Sequence, residues 1–178
     1  MYYFWIFMIY GVIGFLLETV FRLLVTRRLE NRKLMLFLPI CPVYGLGAAA
    51  LIALLDPVRD NLILMFIGGA AIAGTVEFLY SYLCEALFGV LVWDYSELRG
   101  SFNGRVNVFF IAAWGFLTVA LFRVIRPVVD TLIARIPADM FLPMLSVALI
   151  DSAMTCIVFY RYGREGGKPT GCGALTLR

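Results

Sequence analysis

Glu18, Glu77 and Asp151 each stand within a long apolar run, where an acid is costly to place. An ionisable side chain at bilayer depth costs roughly 2.5–3.5 kcal/mol on insertion scales, so it must face protein or water and find a partner. Helical spacing gives each acid an inward stripe. Gly11, Gly14, Glu18 and Arg22 share one face. Ala70, Ala73, Gly74, Glu77, Ser81 and Cys84 share a second, and Ala148, Asp151 and Thr155 a third. Small residues beside each acid let helices approach closely. Glu18 and Arg22 lie four apart with the acid first, the order that favours an internal pair. Two readings follow: a functional polar pocket, or a structural clamp that locks helices together.

A second constellation is Trp93-Asp94-Tyr95-Ser96 followed by Asn103-Gly104-Arg105 and Asn107, with Glu85 just before it. Trp93 and Tyr95 suit the aromatic belt of a membrane interface. Asp94 and Arg105 bracket a turn and could pair. The rival reading is a well-capped interfacial loop. The chain has no histidine, which removes the commonest metal ligand and the usual general base. No metal or other cofactor is expected. The four cysteines form no C-x-x-C pair and read as buried thiols.

The elements that must position these residues are membrane helices. Hydrophobic residues make up 62% of the 178 and charged residues 15%. Soluble domains carry about 25% charged residues, and no soluble fold of this size has interior enough for the apolar excess. Five spans are expected, at about 2–26, 34–55, 62–92, 106–125 and 139–160. The first has no positive n-region and is expected to remain as a helix. The stretch 126–137 reads as a short amphipathic helix at the interface. The expected fold is an all-α helical bundle, one transmembrane domain over 1–162 with a flexible cytoplasmic tail over 163–178.

The second span starts oddly. Pro39 and Pro42 each remove a backbone donor and bias the preceding residue toward extended backbone. Regular helix is expected from Pro42, with 38–41 non-helical, and about 14 residues of helix reach only ~21 Å, too short for a ~30 Å core. Irregular backbone at that depth needs protein or a water-filled cavity beside it. The positive helix end, with Arg32 and Arg105, would suit an anionic group, Asp94 orienting Arg105. A kinked continuous helix is the alternative. Lys and Arg in loops number ten on one side and four on the other, which places the N-terminus outside and the C-terminus in the cytoplasm. That pattern concerns membrane orientation, not nucleic acid.

These residues together resemble the bacterial membrane family called ABC-transporter type IV, or CmpB-like. The resemblance runs through Glu18, Asn31-Arg32, Pro39, Pro42, Tyr44, Gly45, Gly47, Glu77, Glu85, Phe88, Trp93–Ser96, Asn103-Gly104-Arg105, Trp114-Gly115 and Asp151. Phe15, Lys33 and Leu38 stand where the family pattern has Trp, Gly and Gly. It implies a small all-helical inner-membrane protein of a transport type. The expected site is a cytoplasm-facing pocket drawn from Glu18, Arg22, Asn31, Arg32, Tyr44, Glu77, Glu85, Trp93, Asp94, Tyr95, Asn103, Arg105 and Asp151, for a small anionic or amphipathic ligand. The chain lacks a G-x-x-x-x-G-K-[ST] element, so an ABC role requires separate ATPase subunits alongside the membrane lipids. The other function classes are an intramembrane enzyme acting on a lipid or isoprenoid, and an assembly factor.

Overall fold

The computed structural model describes residues 1–26 and 35–164. They form an all-α bundle: α1 (Tyr2–Thr26), α2 (Pro42–Leu55), α3 (Leu62–Phe88), α4 (Val108–Ala120), α5 (Arg126–Arg135) and α6 (Phe141–Arg164). Four helical segments are long and apolar enough to cross a membrane, with mean hydropathy from 1.9 to 2.2, and 42–58 is a shorter apolar helix. Large apolar side chains on their outer faces, such as Leu24, Phe109 and Phe116, are exposed. Lipid is the solvent that suits such a surface.

Local chemistry sets the boundaries. Cys41 is extended and Pro42 occupies the first turn of α2, where its missing N–H is harmless. The expected broken start is present: residues 35–41 are non-helical. Asn61 caps α3 by accepting from the Ile63 and Leu64 N–H groups, both at 3.1 Å. Gly89, at φ 68°, ends α3 in the left-handed region that glycine adopts freely. Asn107 caps α4, accepting from the Phe109 N–H at 2.9 Å.

The segment expected as a separate amphipathic helix is α5, but it runs on from α4 through a π-turn at Leu121–Ile125. Its apolar side chains divide: Val129 is buried, whereas Val128 and Leu132 are exposed. α3 packs most extensively against α4, and α1 against α2. Glycine allows both approaches. A Cβ on Gly14 would run into the Tyr44 ring, and one on Gly69 into the Thr118 side chain.

Between α3 and α4 the chain turns back under the bundle. Val90, Val92, Trp93 and Tyr95 are buried with Cys41, Val43, Cys84 and Phe159. A two-stranded hairpin follows, β1 (Ser101–Phe102) with β2 (Val106–Asn107). Its turn places Asn103 and Gly104 at φ 52° and 67°, conformations that an Asn-Gly pair tolerates. Cys41 and Cys84 are buried as expected, but Cys156 is exposed.

Candidate functional site

Glu77 sits on the small-residue stripe of α3 and is 4% exposed. Its two oxygens accept from the Tyr95 hydroxyl at 3.1 Å and the Trp114 indole N–H at 2.9 Å. Across the bundle, Glu18 accepts from the Tyr44 hydroxyl at 3.1 Å. The Tyr44 and Trp114 rings meet edge to face, with centroids 5.3 Å apart. One connected set therefore ties α1, α2, α3, α4 and the α3–α4 loop together: Glu18, Tyr44, Trp114, Glu77, Tyr95. Beside it lies a cavity of about 80 Å³ walled by α1–α4 and the π-turn. Its lining is mainly apolar, with Glu77, Tyr44, Trp114, Thr118 and Tyr10 as its polar members.

Asp151 does other work. It is 1% exposed. Its carboxylate accepts from three consecutive backbone N–H groups: Leu36 at 2.9 Å, Phe37 at 3.1 Å and Leu38 at 2.7 Å. Thr155, one turn on, adds its hydroxyl as an acceptor for the Leu36 N–H at 3.1 Å. Cys41 donates to the Gly11 carbonyl at 3.0 Å. The Leu36, Phe37, Leu38 and Cys41 N–H groups of the irregular lead-in to α2 are thus satisfied by protein, as buried backbone requires. The donors of this lead-in enclose the protein's own carboxylate rather than a ligand.

Arg105 pairs with Glu85, not with Asp94 as the spacing suggested. Its guanidinium also reaches Ser81 at 3.4 Å and lies over the Phe78 and Tyr82 rings. Asp94 accepts from the Ser96 N–H and hydroxyl, at 2.9 and 2.6 Å, and so shapes the turn. The Trp93 indole donates to the Arg105 carbonyl at 2.8 Å. Trp93, Asp94 and Asn103 make contacts within the loop, and Tyr95 reaches the cavity wall through Glu77. Arg22 lies in α1, with its side chain outside what the structure describes, and Asn31 and Arg32 fall outside the described residues.

Sequence reasoning left Tyr10, Trp114 and Thr118 out of the candidate site. An indole N–H inside an apolar span needs an acceptor, and that signal pointed from Trp114 to a buried acid. Among the described residues no group of three or more His, Cys, Asp or Glu side chains could hold a metal ion.

With this geometry in place, the chain can be set beside known proteins. The sequence profile of the family described as Putative ABC-transporter type IV matches residues 5–159. The chain belongs to this family. No curated protein and no solved structure matches it. With its four long apolar helices, this chain is a membrane protein of the family described as Putative ABC-transporter type IV. The matched region contains α2 to α5 whole and most of α1 and α6. Glu18, Glu77 and Asp151 all lie inside it.

Proposed function

We propose that this protein is a transport-associated membrane component whose ligand occupies the cavity walled by α1–α4, with ATP hydrolysis supplied by separate subunits. The observation that carries this reading is the cavity itself, which has the buried Glu77 carboxylate in an otherwise apolar wall. Concave, mostly apolar sites with a few placed polar groups are the usual form of small-molecule sites. The reading takes residues 1–162 as one transmembrane domain with a cytoplasmic tail. It also takes the N-terminus as outside, supported by the ten-to-four distribution of Lys and Arg.

An anionic ligand at the start of α2 has less support. Asp151 fills the backbone donors there, and Glu85 neutralises Arg105. Asn31 and Arg32 complete that idea from outside the described residues. A clamp that only fastens helices is the second reading, favoured by the completeness of the Asp151 contacts.

Mass spectrometry of the protein extracted in its native lipids tests the proposal. A Cβ at Gly47, which lines the cavity, meets nothing within 4 Å, so Gly47→Leu should fill the space without a backbone clash. The proposal expects a small molecule co-purifying with the wild type and lost from Gly47→Leu. Identical spectra from both proteins would favour the clamp.

A further inference from the structure

The cavity has two features that a structural clamp does not need. Tyr10 lines it and is 4% exposed, yet its hydroxyl has no hydrogen-bond partner. Buried polar groups in folded proteins are nearly always satisfied, so an orphan hydroxyl on a cavity wall marks a contact left for something else. The second feature is the company Glu77 keeps. Its partners are a phenol and an indole, and among the described residues no cation reaches it. Buried carboxylates ordinarily have a positive partner.

Two further observations describe what would fit. Tyr44 and Trp114 line the cavity together with Glu77, and aromatic rings attract ammonium groups as a carboxylate does. Leu121 and Ile125, from the π-turn, line the cavity and pack in one apolar cluster with Tyr10, and π-turns concentrate at functional sites. We infer that the cavity binds a small organic cation with an apolar body, its ammonium group at Glu77 and a polar atom at the Tyr10 hydroxyl. The inference rests on the cavity being the ligand site and adds the class of ligand. The mainly apolar lining does not suit a compact hydrophilic ion.

The experiment is equilibrium dialysis of protein in lipid nanodiscs, with empty nanodiscs as the control for partitioning. The probes are radiolabelled 6-aminohexan-1-ol, 1,6-hexanediol and 6-hydroxyhexanoate, one chain length with cationic, neutral and anionic heads. The wild type should prefer the amino alcohol over the diol by about tenfold or more, as expected for a charge pair away from water. Glu77→Gln should remove that preference. Tyr10→Phe should weaken amino-alcohol binding several-fold, on the order of one hydrogen bond, and Gly47→Leu should abolish it. Unfolding temperatures of all variants, with Gly47→Leu retaining Glu77, separate lost binding from lost folding. Equal binding of the three probes, preference for the carboxylate, or preference retained in Glu77→Gln would overturn the cation while leaving the cavity as the site. Absence of binding by every probe, or unchanged binding in Gly47→Leu, would overturn both.

Discussion

Three backbone N–H groups depend on Asp151, which makes it the residue whose loss should be felt most widely. Asp151→Ala orphans the Leu36, Phe37 and Leu38 donors together. A buried donor left unsatisfied costs about 1–3 kcal/mol, so several kcal/mol should be lost. Thermal unfolding in detergent should show this as a large fall in midpoint, with Asp151→Asn intermediate because its amide oxygen still accepts. Trp114→Phe should act differently. It leaves one Glu77 oxygen without its indole donor, and should lower stability by roughly 1–3 kcal/mol while leaving the α2 start intact. Limited proteolysis around residues 35–41 distinguishes the two variants. The sequence identified Asp151 as an acid that needed a partner, without saying which. Backbone donors carry no letter in a sequence, and so three consecutive N–H groups were invisible until the chain was folded around them.

At the scale of elements, α2 was the most legible part of the fold. Two prolines three apart announced both the irregular 38–41 stretch and a helix starting at Pro42. Its neighbours were less so. The π-turn that joins α4 to α5 has no residue signature, whereas the charges of 126–135 suggested a break. The Asn103-Gly104 pair did carry a hairpin signal, masked by the apparent pairing of Asp94 with Arg105. Close packing of α2 on α1 gives a sharp prediction. A Cβ on Gly45 would strike the Phe7 carbonyl, a backbone atom that cannot swing aside. Gly45→Ala should therefore destabilise by about 1–3 kcal/mol despite its small size, measurable by denaturation in mixed micelles. The opposite ends of these helices are fastened by charge. Arg126 donates to Asp56 at 2.5 Å and lies 3.4 Å from Asp130, which accepts from the Tyr2 hydroxyl at 2.8 Å. The Arg126 hydrogen bond holds the Asp56 carboxyl below the usual carboxylate range, against a smaller opposing effect of burial. A depressed folded value means that the contribution is complete above the unfolded value, about 3.9, and fades as pH falls through the lower folded one. Unfolding temperature should thus drop on acidification below about pH 4, and Asp56→Asn should flatten that part of the profile. The effect should be modest because Asp56 is well exposed.

For the whole molecule, the membrane assignment rests on its outer faces, and its orientation is open to a direct test. Alkaline phosphatase fused after Arg178 should be inactive and a fluorescent protein at the same place bright, if the positive side is cytoplasmic. The reverse pattern would invert the bundle and with it the side from which the cavity is reached. One contact already described also bears on how the protein is made. Leu36 and the Asp151 that receives its N–H are 115 positions apart. Synthesis at about 5–20 residues per second separates them by on the order of ten seconds. During that interval the start of α2 is inside or beside the lipid with its donors unmet, and only the arrival of α6 completes it. The second helix is therefore finished last. Nascent chains arrested before Asp151 should be cut readily near residues 35–41 by an added protease, and chains arrested beyond Thr155, once clear of the ribosome, should resist. Assembly in this bundle is gated by its final helix, so truncation at the C-terminal end should be read by quality control as damage near the N-terminal end.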